Sequence, residues 1–312
     1  MKASVLINSY NYGRYLRNCI DSALLQTYAN TEVIVVDDGS SDDSAAIIDS
    51  YGPAIVPILK SNGGQASCFN VGFARSQGDV VFLLDADDEF HARKISLVID
   101  VYRDLSVQWC FDRADHSAIP DVSRFDPKRD VALYDYRGSI ADHRVPDLPV
   151  PTSGLSFRRA LLSQVLPMPT APGITLSDNY LKFSAASLGV GAICRAPLTY
   201  QRIHNNNRYT LAQDGRRRQT EIGMETGVQL ARNFPHLSGV AVKLAARALA
   251  EMAARGPADY WRGLHRCFGE PFTLRQKATI ATRSIMLIVK KVFGSVNAGK
   301  RAPIRPGGRE SR

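Results

Sequence analysis

The sequence lacks the features of a zinc domain, a disulfide scaffold or a membrane-spanning protein. Its five cysteines are scattered and form no Cys-x-x-Cys pair, which is typical of a reducing compartment. No apolar run approaches the 18 residues that a membrane-spanning helix needs. The apolar stretch after Met1 is too short for the core of a signal peptide. We therefore expect a cytoplasmic protein.

Two common phosphate-binding cradles are also missing. No Gly-x-Gly-x-x-Gly follows the first apolar run, and no Gly-x-x-x-x-Gly-Lys-Ser/Thr occurs anywhere, which argues against the dinucleotide and P-loop modes. The chain has 312 residues, of which 45% are hydrophobic and 22% charged, as in ordinary globular proteins. This length predicts one α/β domain of about 200 residues and an appended segment.

The first hundred residues alternate between short apolar runs and helical patterns. The runs at 4–7, 32–36, 55–59 and 80–84 are typical of strands buried on both faces. The segments between them carry helical periodicity. This alternation predicts an α/β fold with a mostly parallel twisted sheet flanked by helices, as in Rossmann-like proteins.

Acidic residues directly follow two of these predicted strands. Asp37 and Asp38 follow the second strand, and Asp85, Asp87 and Asp88 end the fourth. Ligands of open α/β sheets bind at the carboxyl ends of the strands, and clustered carboxylates are costly there without a cation. Mg²⁺ or Mn²⁺ prefers such oxygen ligands and usually completes its shell with phosphate oxygens. The pattern predicts a metal and phosphate site.

Helix capping is the alternative interpretation of these acids. Asp87 and Asp88 would then cap a helix expected over 90–102, and capping explains Asp42 and Asp43 better than any ligand does. A third signal is the loop that contains Gly63 and Gly64, because glycine lets backbone approach a ligand closely and the helix that follows favours an anion.

Taken together, these segments resemble family 2 glycosyltransferases of the GT-A fold. The matching segments are Ser9 to Asn11, Val35 to Ser40, Asn62 to Gln65, Asn70 to Gly72, Gly78-Asp79 and Leu84 to Asp88. They cover about the first hundred residues in the correct order. The resemblance implies a nucleotide-sugar donor, usually a UDP-sugar, and a divalent metal, Mn²⁺ or Mg²⁺. Asn8 stands where many members have proline, which should alter the turn without removing a ligand.

The resemblance also implies a role for individual residues. The implied donor-binding residues are Ser9, Tyr10, Asn11, Asp37, Asp38, Asn62, Gly63, Gly64, Asp85 and Ala86. Within this set, Asp37 and Asp38 would contact the base and ribose, and Asp85 would face the ribose. The implied metal ligands are Asp87, Asp88 and His204. A lone histidine is more often structural, and only its position in the family pattern makes a ligand role equally plausible for His204.

Asp178 is the candidate catalytic base. Inverting glycosyl transfer needs a group that takes the proton from the acceptor hydroxyl, and a carboxylate can do this. In the family an acidic pair at a helix start supplies the base, whereas this sequence has Ser177-Asp178. The alternative is that both residues only cap a helix over 179–188. Nearby, 151–157 resembles a segment that lies beside the donor sugar, and 105–148 is expected to form loops and edge strands.

The C-terminal third is rich in basic residues and has the periodicity of helices. Helices are expected over 239–255, 258–268 and 274–296, and the last one combines basic and apolar residues. Such a helix can lie on an anionic membrane surface as a peripheral contact, or it can pack on the catalytic domain with its basic face in water. The sequence thus divides into a catalytic domain at 1–210, a helical extension at 211–298 and a disordered basic tail at 299–312.

The functional hypothesis is a metal-dependent, inverting glycosyltransferase. It would move a sugar from a nucleotide-sugar to a saccharide or lipid-linked acceptor during cell-surface polysaccharide synthesis, and nucleic acid is not expected as a partner. One alternative is a sugar-phosphate nucleotidyltransferase, although the loop after the first strand lacks the usual glycines and lysine. Another is a non-catalytic carbohydrate- or nucleic-acid-binding protein that keeps the fold.

Overall fold

The computed structural model of the chain describes residues 1–117, 125–171, 175–204, 215–269 and 271–298. The strands are β1 Ala3–Ser9, β2 Thr31–Asp37, β3 Val56–Leu59, β4 Val80–Asp85, β5 Glu89–Phe90, β6 Trp109–Asp115, β7 Val131–Tyr134, β8 Leu155–Arg158 and β9 Gly191–Tyr200. The helices are α1 Gly13–Leu24, α2 Ser44–Asp49, α3 Gly64–Arg75, α4 Lys94–Asp104, α5 Pro127–Asp130, α6 Arg137–Ala141, α7 Arg159–Leu162, α8 Asp178–Leu188, α9 Gly215–Asn233, α10 Ser238–Ala253, α11 Pro257–Phe268 and α12 Leu274–Ala298.

The first four strands form a parallel half-sheet, as predicted. Their order is β3-β2-β1-β4, and the apolar runs of β1, β2 and β4 are buried almost throughout. The register places Ser9 opposite Asp37 and Asn8 opposite Asp85. The acidic ends of β2 and β4 therefore flank the end of β1 at one edge of the sheet.

The second half makes the sheet mixed. β8 runs antiparallel to β4 and β6, β6 runs parallel to β9, and β5 and β7 pair with β9 in the antiparallel sense. The expectation of loops and edge strands over 105–148 is wrong for β6, which lies inside the sheet between β8 and β9. Its apolar run is interrupted by Asp112 and its pairing with β9 shifts register after that residue, so the strand pattern is weak in sequence.

The segment after the second acidic cluster also differs from expectation. A helix was predicted over 90–102, but Glu89 and Phe90 form a short strand that pairs with β9, and α4 begins only at Lys94. Phe90 is buried in the core beneath this strand. Asp87 and Asp88 consequently precede a strand rather than cap a helix.

The C-terminal helices are present within two residues of the predicted bounds. A single cluster of buried side chains joins them to the sheet, since it includes Phe111 of β6, Leu249 of α10 and Ile280 of α12. The boundary at residue 210 and the tail at 299–312 lie outside the described residues, so that division stays a prediction. No helix within the described part of the chain is long and apolar enough to cross a membrane.

Candidate active site

A cavity of about 1420 Å³ opens at the carboxyl edge of the parallel half-sheet. Most of the predicted site residues line it: Ser9, Tyr10, Asp38, Asn62, Gly63, Gly64, Asp85, Ala86, Asp87 and Asp178. Four other predicted residues, Asn11, Asp37, Asp88 and His204, are not on its wall. The structure thus brings the ends of β1, β2 and β4 together with the start of α8 around one space.

Asp37 and Asn11 form the turns behind the cavity wall. The Asp37 carboxylate accepts hydrogen bonds from the amide of Ser40, at 3.0 Å, and from its hydroxyl. Asn11 adopts a φ of +59°, and its Oδ1 accepts a hydrogen bond from the amide of Ser41 at 2.7 Å. Both side chains therefore hold the loop after β2 in place.

Asp38 fixes the glycine loop at the start of α3. Its two carboxylate oxygens accept hydrogen bonds from the amides of Gly63 and Gly64, each at 2.8 Å, and Lys60 forms an ion pair with it. These amides belong to the first turn of a helix, where backbone donors lack partners within the helix. Next to this loop, Ser9 is 2% exposed and its Oγ has no hydrogen-bond partner among the described residues. The cavity thus contains a buried hydroxyl that a ligand could engage.

Asp85 lies at the centre of the acidic rim and is held by two amide side chains. Its Oδ1 accepts hydrogen bonds from Asn8 Nδ2, at 2.7 Å, and from Gln65 Nε2, at 3.1 Å. Burial raises its pKa well above the ordinary value, and the charges of Asp88, Asp87 and Asp178 raise it further. Asn8 therefore contacts the site directly. The sequence predicted only an effect of Asn8 on the turn and not this contact.

Asp88 is turned into the protein. One carboxylate oxygen accepts a hydrogen bond from Ser153 Oγ at 2.6 Å, and the other accepts one from the amide of Arg202 at 3.1 Å. The side chain is 1% exposed, and burial, together with the charge of Asp87, raises the pKa of Asp88 to about 8. Its position suits a residue that supports the rim from behind.

Among Asp85, Asp87 and Asp88, Asp87 is the residue that both lines the cavity and contacts a histidine. His204 Nε2 lies 3.1 Å from Asp87 Oδ2, and the imidazole stacks on Tyr15 at 4.5 Å between ring centroids. Burial raises the pKa of the Asp87 carboxyl, and His204 and Arg202 partly offset this effect. The contact places His204 behind Asp87 as seen from the cavity.

The electrostatics of the rim fit a divalent cation. Burial raises the pKa of Asp85, Asp87 and Asp88, and neighbouring carboxylates raise the pKa of Asp85 and Asp88 further. A bound cation would favour the charged form of these carboxylates. No group of three or more metal-ligating side chains is arranged around one point within the described residues. Asp87 and Asp85 would accordingly need oxygen atoms from a ligand to complete a coordination shell.

A buried ion pair supports the rim, and sequence reasoning missed it. Lys94 of α4 is 0% exposed, and its ammonium lies 2.7 Å from Asp112 Oδ1 on β6. The same ammonium donates hydrogen bonds to the Ser153 carbonyl, at 2.6 Å, and to Thr199 Oγ1, at 2.7 Å. A signal was present in the sequence, because Lys94, Val98 and Val101 recur at the spacing of a buried helix face.

Asp178 faces the same cavity from the start of α8. Ser177 is the N-cap residue, with its hydroxyl accepting from the amide of Asn179, and Asp178 forms an ion pair with Lys182 at 3.0 Å. The segment 151–157 forms a 3-10 turn, Thr152–Gly154, followed by β8. Thr152 also lines the cavity.

Comparisons with known proteins show the family of the chain. The model of glycosyl transferase family 2 matches residues 4–164. An uncharacterised glycosyltransferase of Nostoc sp. is 32% identical over 243 residues, which cover 75% of this chain and 74% of that protein. A second one, from Rickettsia prowazekii, is 37% identical over 142 residues, or 42% of this chain and 45% of that protein.

Solved structures share the fold over most of the chain. The S. aureus TarS fragment 1–349, in complex with UDP-GlcNAc, superimposes with a TM-score of 0.65 at 14% identity, covering 94% of this chain and 92% of that one. The mannosyltransferase PcManGT from Pyrobaculum calidifontis, in complex with GDP-Man and Mn²⁺, gives a TM-score of 0.52 at 20% identity, with coverage of 94% and 87%. The protein has the GT-A type of α/β fold, and it is a glycosyltransferase that belongs to family 2.

Proposed function

We propose that the protein is a metal-dependent, inverting glycosyltransferase that uses a nucleotide-sugar, in the first instance a UDP-sugar. The observation that carries the proposal is the meeting of Asp38, Asp85, Asp87 and Asp178 on the wall of one cavity. Family membership supports glycosyl transfer over nucleotidyl transfer or a purely binding role.

The nucleoside would occupy the end of the cavity formed by β1, β2 and the glycine loop. Ser9 offers a buried hydroxyl without a partner among the described residues, and Tyr10 and Asn62 line the space beside it. Asp38 would act mainly by holding Gly63 and Gly64, since its oxygens already accept their amide hydrogens. Asp85, fixed by Asn8 and Gln65, would accept hydrogen bonds from the ribose hydroxyls.

Asp87 would be the principal protein ligand of Mn²⁺ or Mg²⁺. When bound, such an ion supplies charge neutralisation for the diphosphate leaving group. His204 would orient Asp87 through their contact. Asp88 would keep this part of the chain in place through Ser153 and Arg202, so we assign it a positioning role.

Asp178 would be the general base. Its carboxylate would take the proton from the acceptor hydroxyl while that oxygen attacks the anomeric carbon, and the bond to the diphosphate would break on the opposite face of the sugar, which inverts the configuration. Lys182, 3.0 Å away, would hold the carboxylate in one orientation.

The biological setting would be assembly of a cell-surface polysaccharide on the inner face of the membrane. The acceptor would be a saccharide or a lipid-linked sugar. Support for a peripheral membrane contact comes from α12, which exposes Ile285, Met286 and Val289 near the basic residues Arg283 and Lys290.

A thermal-shift panel of nucleotides and nucleotide-sugars, with and without Mn²⁺, tests the metal assignment. The wild-type protein should be stabilised by at least one nucleotide-sugar, and more strongly with Mn²⁺, because a ligand that binds only the folded state raises the melting temperature. Asp87→Asn should lose the Mn²⁺-linked part of the shift, whereas Asp104→Asn, at an exposed site outside the cavity, should keep it. An unchanged Mn²⁺ effect in Asp87→Asn would show that the metal is held elsewhere.

A further inference from the structure

The cavity extends well beyond the space that a donor needs. Ligand pockets usually enclose about 300–1,000 Å³, whereas this one encloses about 1420 Å³. Its acidic end is formed by the sheet edge and α8, and its other wall is formed by α9 and α10. Since Asp178 lies in the same cavity, the outer part is where an acceptor would lie if the proposed glycosyl transfer is correct.

Three arginines line this outer wall. Arg216 and Arg218 come from the first turn of α9, and Arg247 comes from α10. All three side chains are exposed. Within the described residues, no carboxylate lies within 4.0 Å of any of their guanidinium groups. The positive charge of this wall is therefore available to a ligand.

The acids on the same wall already have partners. Glu251 forms an ion pair with Lys291 at 3.2 Å, and Glu221 forms one with Arg217 at 3.1 Å. Because Glu221 and Glu251 pair with other cations, they do not neutralise the charge of the three arginines. The two ends of the cavity thus carry charges of opposite sign, acidic where a cation would neutralise the donor diphosphate and basic where the acceptor enters.

We propose that the acceptor is anionic and carries a phosphate group that binds Arg216, Arg218 and Arg247. This inference rests on the proposed glycosyl transfer and adds the chemical class of its acceptor. Arginine suits phosphate because its planar guanidinium group donates two parallel hydrogen bonds to phosphate oxygens. The phosphate can belong to a lipid-linked sugar or to a water-soluble polyol phosphate, and both present the same group to the arginines.

Calorimetric titration tests the arginine wall with two phosphate probes, geranyl phosphate and glycerol 3-phosphate, and with their uncharged counterparts geraniol and glycerol. The protein is first saturated with the nucleotide-sugar and Mn²⁺ that give the largest thermal shift. We expect at least one phosphate probe to bind, to bind more weakly at higher salt, and to lose at least tenfold in affinity in Arg216→Ala/Arg218→Ala/Arg247→Ala. Stronger binding of geranyl phosphate would indicate a lipid carrier, and stronger binding of glycerol 3-phosphate a polyol phosphate.

The matched control is Arg75→Ala/Arg93→Ala/Arg232→Ala, which removes the same charge from exposed positions outside the cavity. It should bind the phosphate probe within twofold of wild type. If the alanine triple variant does not fold, the corresponding glutamine variant replaces it. Equal affinity of the triple variant and wild type, or no preference of wild type for phosphate over the uncharged probes, would overturn the subsite. If only the phosphate subsite is wrong, nucleotide-sugars still raise the melting temperature of the wild-type protein. If the glycosyltransferase proposal itself is wrong, they do not raise it.

Discussion

Asp178 and Asp87 are both acidic residues on the cavity wall, but their surroundings suit different tasks. Asp87 is buried beside His204, and its charge raises the pKa of both Asp85 and Asp88, which favours a cation at this rim. Asp178 instead begins α8 and forms an ion pair with Lys182, four residues later, which holds its carboxylate in one orientation at the cavity wall. This contrast separates the metal assignment from the assignment of the base.

Asp178→Asn should abolish glycosyl transfer while leaving donor affinity intact. Asparagine keeps the size of the side chain but cannot accept the acceptor proton, so we expect kcat to fall by about 10²–10⁴-fold. The donor Kd should stay within twofold of wild type. Turnover with an active acceptor and donor titration measure the two quantities. Asp104→Asn serves as the control with full activity, and a turnover of Asp178→Asn near wild type would remove Asp178 as the base.

At the level of elements, the predictable part of the fold is the part built from local patterns. Apolar runs followed by aspartates predicted β2 and β4. In the structure, the pairing of both strands with β1 brings their carboxyl ends together. β6 was missed because its burial depends on distant partners, β8 and β9, which no local pattern encodes. Lys94 does occupy the spacing of a buried helix face, but its burial was missed because a lysine is buried only when a partner such as Asp112 comes from elsewhere in the chain.

In the candidate site, too, local sequence patterns predicted some features and not others. Sequence motifs located the cavity residues, but they did not reveal that Asp37 and Asn11 hold the turn after β2 or that both oxygens of Asp88 accept hydrogen bonds within the protein. Which atoms face a ligand depends on the turn geometry that follows each strand. The sequence also did not predict that arginines of α9 and α10 line the cavity. They reach it only because the C-terminal helices pack on the core.

The turn at Thr152–Gly154 gives a test at the scale of an element. A Cβ added to Gly154 would lie 2.2 Å from the carbonyl oxygen of Asp112, so Gly154→Ala must displace the turn that carries Ser153. We expect a loss of about 1–3 kcal/mol in the free energy of unfolding and weaker nucleotide-sugar binding. Gly138→Ala is the matched control, because nothing lies within 4 Å of its added Cβ. Urea unfolding measures both variants, and equal stability of the two would refute the tight packing at Gly154.

At the scale of the whole molecule, the charges are separated along the chain. The net charge is +9, yet the rim formed by the first ninety residues is acidic, and arginines and lysines concentrate in the helices after residue 214. Those helices share a buried cluster with the sheet, so the basic surface is held in a fixed position relative to the active site. The exposed side of α12 is part of this surface.

This arrangement predicts reversible binding to anionic membranes through α12. Ile285, Met286 and Val289 are 54%, 64% and 46% exposed, and a helix of this kind inserts its apolar face between lipid headgroups while basic residues contact anionic lipids. Wild-type protein should co-sediment with phosphatidylserine-containing vesicles and dissociate as salt is raised. Ile285→Ser/Met286→Ser/Val289→Ser should lower the bound fraction at least tenfold. As a control, Leu25→Ser/Leu59→Ser/Leu133→Ser removes three exposed leucines outside α12, which are 72%, 59% and 58% exposed, and this variant should bind as wild type does. If the two triple variants bind equally, α12 is not the membrane contact, and its apolar side chains must then meet another surface.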